Sequence, residues 1–204
     1  MNPKALSLAC TISAILWAII IGVCAFVGQA WADPYALAGG GCIKSTQQSN
    51  SDEIEFGSEC GGLAFGEGGY TFDQGWAEIS LGGEIAHRFK DLHGQNNGSK
   101  QTADGETLHI TSIGVNARIQ RNVIWALDIY GLAGFGGGYA TGLDDSDFVP
   151  IAQGEAGLSL GLTDNLSIGG GYRFAKAFGL NLDGNSGNPD FHGAVGWLRW
   201  SFGE

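Results

Sequence analysis

The sequence predicts an all-β chain: a transmembrane, antiparallel, up-and-down β-barrel of eight strands. Three observations carry that reading. Segments of roughly ten residues alternate apolar with small or polar residues, and their connections alternate between very short and long. An apolar leader precedes the first of these segments. Aromatic residues gather at predicted strand ends, at Tyr70, Phe72, Trp76, Trp125, Tyr139, Phe178, Trp200 and Phe202, where the headgroup zone accepts an apolar ring and a polar tip together.

Residues 1–32 read as a secretory signal peptide: Lys4 precedes an apolar run over 5–27, and Ala30-Trp31-Ala32 offers an A-x-A cleavage site before Asp33. The run exceeds the usual ~7–15 residues, so an uncleaved transmembrane helix stands as the alternative. A lipoprotein signal at Cys24 is disfavoured by the bulky Val23 before it. The barrel domain is then 33–204. The net charge of −11 becomes one unit more negative when Lys4 leaves, a balance that argues against nucleic acid as a partner. The 36 glycines follow no G-X-Y period, which excludes collagen. Aromatic and aliphatic residues alternate with them, so flexible low-complexity chain is a poor fit. Export with loss of Cys10 and Cys24 leaves Cys42 and Cys60. An even pair in an oxidising compartment favours a disulfide, contributing about 3 kcal/mol in the chain-entropy model, with two free thiols as the alternative.

The strands are expected near 35–42, 62–73, 76–90, 107–120, 124–139, 149–162, 166–178 and 191–202. Asp73-Gln74-Gly75-Trp76, Gln120-Arg121-Asn122-Val123 and Thr163-Asp164-Asn165 read as tight turns, and 43–61, 91–106, 140–148 and 179–190 as long loops. Short turns face the periplasm and long loops face outward, which puts both termini in the periplasm. The third strand sets Ala77, Ile79, Leu81, Ile85 and Phe89 against Glu78, Ser80, Glu84 and Arg88. In the fourth, Ile113, Val115, Ala117 and Ile119 oppose Ser112, Asn116 and Arg118, and in the fifth Trp125, Leu127, Ile129 and Phe135 oppose Asp128 and Tyr130. The apolar faces are assigned to lipid. A soluble β-sandwich could show the same alternation; the leader, the turn pattern and the aromatic ends favour the membrane.

The segments GLTDNLSIGGGYRF over 161–174 and LRWSF over 198–202 resemble the outer-membrane protein A-like, or Opa-like, eight-stranded barrel family. The resemblance spans 33–204. Such families end on an aromatic residue, whereas here Gly203 and Glu204 follow Phe202. The resemblance implies the outer membrane of a Gram-negative bacterium and a structural, adhesive or antigenic role through the outer loops, or in some members a narrow pore. It implies no cofactor, and the chain ends without a following peptidoglycan-binding domain. The expected partners are outer-membrane lipid and lipopolysaccharide, with a host or cell-surface ligand at the loops. The expected state is a monomer.

The lumen is expected to hold Glu67, Glu78, Glu84, Asp128 and Glu155 against Arg88, Arg118, Arg173 and Arg199, near balance, as a hydrogen-bonded network of ion pairs. A turn centred on Asp164 sets Glu155 opposite Arg173, and matching lipid faces sets Glu78 opposite Arg118. A lumen so plugged points to a scaffold, while lumenal Gly82, Gly114, Gly169 and Gly171 leave a small passive pore as the alternative. A lipid-modifying enzyme is a second alternative. His87, His109 and His192 lie near outer strand ends, but no serine completes a Ser/His/acid set, and two imidazoles without a further ligand make a weak metal site. Asp144-Asp145-Ser146-Asp147 and Asp183-Gly184-Asn185 match no calcium loop, and the triple-glycine runs open no phosphate-binding helix.

Overall fold

In a bilayer every backbone N–H and C=O must find a partner within the protein, and strands achieve this by closing on themselves. The computed structural model describes residues 32–46, 60–91, 94–96, 99–101, 107–142, 145–182 and 185–202. Eight strands form the barrel: β1 Ala32–Thr46, β2 Gly61–Asp73, β3 Glu78–Asp91, β4 Thr107–Ile124, β5 Leu127–Gly142, β6 Asp145–Gly161, β7 Leu166–Ala177 and β8 Asp190–Ser201. Each pairs antiparallel with its neighbours in sequence, and β1 closes the ring against β8. At the seam Gly40 lies opposite Gly196, and Phe202 N donates to Pro34 O at 2.8 Å. The predicted leader lies outside the described residues.

Local chemistry makes the short turns. Between β2 and β3, Gly75 takes φ +77°, a left-handed conformation that glycine adopts without strain, while Asp73 Oδ1 accepts from Gly75 N at 2.6 Å. Between β6 and β7, Thr163 Oγ1 accepts from Leu166 N at 3.0 Å. The β4–β5 turn departs from the expectation of 120–123. β4 runs on to Ile124, the ladder shifts between Asn122 and Ile124, and the turn falls at Trp125 and Ala126. The Asn122 amide explains the delay: it donates to Trp125 O at 2.7 Å and to Asp128 Oδ1 at 2.9 Å, holding the bulged strand to its partner. Trp125 sits at the tip with φ +54°.

The outer connections also differ from the simple loop reading. The ladder of β5 and β6 continues to Gly142 opposite Asp145, so most of 140–148 is strand. Tyr139 stands opposite Phe148 and its hydroxyl donates to Ser146 Oγ at 2.8 Å, a cross-strand clamp that carries the hairpin past the predicted boundary. Short strand pairs join Gly94–Asn96 to Ser99–Gln101 and Leu180–Leu182 to Asn185–Gly187 within the third-to-fourth and last outer connections. Cys42 and Cys60 form a disulfide with Cα atoms 5.6 Å apart, tying β1 to the start of β2.

The period-2 pattern sorts the faces. Ile85, Phe89, Ile113 and Ile119 are exposed on the outside of the wall, and Ser80, Glu84, Arg88, Ser112, Asn116 and Arg118 are buried within it. Ala77, expected on the lipid face, is buried beside the β2–β3 turn. Exposed Tyr70, Trp76, Trp125, Trp200 and Phe202 ring the short-turn end, and Phe89, Tyr139, Phe148 and Phe178 ring the other.

Candidate functional site

The interior is layered. Towards the outer end, Ile43, Leu63, Leu108, Ile110, Ala140, Val149, Ile151 and Phe191 are buried in an apolar cluster that also takes in Phe65, Tyr130 and Trp197, and buried Ser45, Arg88 and Lys90 stand in register with Phe191, Ile110 and Leu108. This departs from the expectation of a charged lumen throughout. β4 shows why alternation concealed it: Leu108 and Ile110 point inward and Ile113 and Ile119 outward, so apolar residues serve both faces of one strand.

Below that cluster lies a polar layer centred on Arg173. Its Nε donates to Glu155 Oε2 at 2.6 Å, the partner that the β6–β7 turn places directly opposite, and its Nη1 donates to Glu84 Oε2 at 2.9 Å from across the barrel. Gln153 Nε2 donates to Glu84 Oε1 at 2.8 Å, and Gln153 Oε1 accepts from Arg88 Nη2 at 2.8 Å. Asn116 Nδ2 reaches Glu67 Oε2 at 2.5 Å, and the Tyr35 hydroxyl donates to Glu67 Oε1 at 2.5 Å. Glu155 accepts a second bond from the Tyr130 hydroxyl. Every buried carboxylate here therefore accepts from fixed donors, the condition that makes burial of charge tolerable.

Arg173 alone among the four lumenal arginines contacts a carboxylate at ion-pair distance among the described residues. The Arg88 guanidinium instead donates to Ser112 Oγ at 2.8 Å as well as to Gln153. Arg118 lies between two aromatic rings, its Cζ 4.6 Å from the Tyr130 centroid and 4.7 Å from that of Trp197. Arg199 lies over Tyr35 at 4.4 Å, and its Nη2 donates to Thr71 Oγ1 and, at 3.4 Å, to Ser80 Oγ. Cation–π contact thus stands where ion pairs were expected.

Two of the nine expected lumenal charges lie at the mouth. Glu78 is exposed and opposes Gln120, while Arg118 opposes Ser80, so the expected Glu78 to Arg118 pairing is off by two positions. The long connection between β3 and β4 leaves their register to the alternation pattern, which a two-residue slip preserves. Asp128 is half-buried and accepts from Gln120 Nε2 at 2.8 Å and from the Asn122 amide rather than from an arginine. A cavity of about 350 Å³ at this end is lined by Asp73, Glu78, Gln120 and Asp128 among others.

Tyr35, Gln153, Trp197 and the Thr71 hydroxyl belong to this interior without standing out in the sequence, and alternation alone turns Ser80 and Tyr130 inward. Parity was the available signal: Gln153 stands two residues before Glu155, and Trp197 two before Arg199. The lumenal glycines prove to be cradles. A Cβ on Gly169 would strike the Trp197 indole, and one on Gly82 would strike the Tyr35 hydroxyl. The space that a side chain gives up at these positions is filled by a ring or phenol from another strand.

On the outer wall, His87 Nδ1 lies 2.9 Å from Thr111 Oγ1, and His87 Nε2 lies 3.4 Å from His109 Nδ1. His192 Nδ1 contacts the Tyr172 hydroxyl. No group of three or more His, Cys, Asp or Glu is placed to hold a metal among the described residues. Asp147 uses Oδ1 for Phe148 N and Oδ2 for Asn181 N, both at 2.8 Å. Asp144 and Asp183 lie outside the described residues.

A closed antiparallel wall with aromatic girdles at both ends and a packed, charged interior defines a β-barrel of the outer membrane. The chain belongs to the family described as outer membrane protein beta-barrel domain, whose sequence model matches residues 13–202. Among solved structures, Neisserial surface protein A is 13% identical with a TM-score of 0.54, covering 84% of this chain and 99% of its own. The N-terminal β-barrel domain of Pseudomonas aeruginosa OprF is 15% identical with a TM-score of 0.47, covering 85% of this chain and 100% of its own. Ail, the attachment invasion locus protein of Yersinia pestis, solved with a heparin analogue, is 14% identical with a TM-score of 0.44, covering 84% and 98%. A comparison with curated proteins finds no match. At 13% identity the likeness to Neisserial surface protein A speaks for the fold alone.

Proposed function

We propose that this outer-membrane barrel is a non-conducting, non-enzymatic scaffold whose outer connections carry surface recognition, adhesive or antigenic, for a host or cell-surface ligand. The observation that carries this reading is the filled cross-section: Arg173 joins Glu84 and Glu155 across the barrel below a buried cluster that includes Ile110, Val149 and Phe191. The interior of an eight-stranded barrel is just wide enough for side chains to fill. At the outer end the interior is filled by apolar side chains together with buried Ser45, Arg88 and Lys90, which leaves little open cross-section for a hydrated ion. Of the glycines behind the pore reading, Gly82, Gly169 and Gly171 make room for Tyr35, Trp197 and Tyr130, and Gly114 faces the backbone of Phe135.

The imidazoles do not favour an enzyme, since His87 meets a threonine and a second histidine, and the Ser/His/acid geometry of acyl transfer calls for a carboxylate behind the base. Lipid and lipopolysaccharide are the proposed surroundings of a monomeric barrel, and residues 1–32 the proposed cleaved signal. Planar-bilayer recording on the purified protein tests the scaffold reading: the expected result is an absence of stable openings, and reproducible unitary conductance overturns it in favour of a passive pore. Amino-terminal sequencing of the exported protein is expected to begin at Asp33.

A further inference from the structure

The periplasmic half of the interior holds a guanidinium whose hydrogen-bonding edge is unused. Arg118 is 2% exposed, and the Tyr130 and Trp197 rings cover its plane. Trp197 Nε1 donates to the Tyr130 hydroxyl at 3.0 Å, so the two rings are fixed to one another. Ring contact satisfies the plane of a guanidinium but not its five N–H groups, which project from the edge. None of Arg118 Nε, Nη1 or Nη2 has an acceptor among the described residues.

A second cation stands beside it. Ser80 is the cross-strand partner of Arg118 and its hydroxyl accepts from Arg199 Nη2, so the two arginines are rooted at neighbouring lumenal positions. Arg199 Nε likewise has no acceptor among the described residues. A third unused donor is the buried hydroxyl of Ser159, which opposes Gly169, itself the partner of Trp197 and the residue over which the indole lies. Three lumenal carboxylates are engaged, Glu155 and Glu84 with Arg173 and Glu67 with Tyr35 and Asn116, while Glu78, exposed at the mouth, lies within electrostatic reach of Arg199 but forms no ion pair with it. Two buried cations, one with no acceptor on its edge and the other with its Nε unpartnered, are costly unless an anion or water completes them.

We propose that Arg118 and Arg199, with the Ser159 hydroxyl, hold a halide-sized anion in the periplasmic half of the lumen. Space sets the size. The Tyr130 hydroxyl stands 2.8 Å from where a Cβ of Gly157 or Gly171 would sit, and the Trp197 indole fills the room over Gly169. The rings thereby use the volume that an oxyanion with several oxygens would need. Water is the competing occupant, since it could bridge Arg118 to Gln120 Oε1, a buried acceptor two positions along β4 that lacks a partner among the described residues. Water and halide differ in that only a bound halide gives a saturable dependence on chloride that is lost with Arg118, over and above the general effect of salt on stability.

The test uses the full barrel folded in detergent micelles, with chloride as the probe and gluconate as the inert replacement. The linewidth of the chloride quadrupolar NMR signal is expected to show a saturable excess that bromide displaces, and the unfolding midpoint to rise with chloride. In Arg118→Met the excess is expected to fall to the buffer baseline, while Lys176→Ala, which removes an exposed cation, leaves it unchanged. Should Arg118→Met fail to fold, Arg118→Lys keeps the charge and loses the forked edge. Chloride affinity is then expected to weaken roughly tenfold, as for one charge-assisted hydrogen bond. An absence of saturable excess in the native protein overturns the proposal in favour of water. So does an excess that persists unchanged in the folded Arg118 variant.

Discussion

The two ends of the interior solve one problem by opposite means. The outer end is mainly apolar, with Leu108, Ile110, Val149 and Phe191 buried and Ser45, Arg88 and Lys90 enclosed beside them. The periplasmic half buries arginines, carboxylates and the rings of Tyr35, Tyr130 and Trp197. Both are filled by side chains, but they differ in how error is punished. An apolar layer loses contact area when a side chain shrinks, whereas a polar layer loses a partner and leaves a desolvated charge behind.

The largest effect is expected from Arg173→Met. It leaves Glu84 and Glu155 without their shared cation, and the cost is about 3–5 kcal/mol in urea unfolding followed by mobility on unboiled gels. Adding Glu155→Gln to that variant is expected to recover part of the loss. A fully additive double variant would break the contrast between the layers, because it would mean that the ion pairs carry no coupling. Ile110→Ala, in the apolar layer and fully buried, is expected to cost about 2–4 kcal/mol in the same assay, and no second replacement at a charged position should restore it.

Gly169→Ala sharpens the comparison from the side of volume. The added methyl meets the Trp197 indole, an overpacking worth about 1–3 kcal/mol, and Trp197→Phe in the same chain is expected to relieve it. The smallest effect is expected at Lys176, whose ammonium lies 3.1 Å from Asp190 Oδ1 with both side chains substantially exposed. Lys176→Ala should change stability by less than about 1 kcal/mol. A loss as large as that of Arg173→Met would show that burial is not what distinguishes the two ion pairs.

Much of this architecture is legible in the sequence. Three short connections and a period of two locate eight strands, and where a turn is tight, as at Thr163, the register follows and sets Glu155 against Arg173. Legibility fails where that logic has no grip. The β3–β4 pair is joined by a long connection, so nothing in the pattern separates Glu78 opposite Gln120 from Glu78 opposite Arg118. The β4–β5 turn moved because one asparagine amide, at Asn122, ties down a bulge that alternation cannot announce. The apolar layer escaped because isoleucine is equally suited to lipid and to a packed interior: Ile110 is enclosed and Ile113 faces outward on the same strand. The ring partners of Arg118 escaped because contact across a lumen depends on how far each strand is staggered, which a single chain read in order does not display.

The seam between β1 and β8 has one further consequence. Phe202 N and Pro34 O are hydrogen-bonded, so the two ends of the described wall lie side by side at the short-turn mouth. The ring has no privileged starting point. A circularly permuted chain, with a short linker bridging the native ends and a new opening cut in an outer connection, would meet the same eight neighbours in the same order. Its two new ends would then lie on the outer face, turning a recognition loop into a pair of attachment points for cargo.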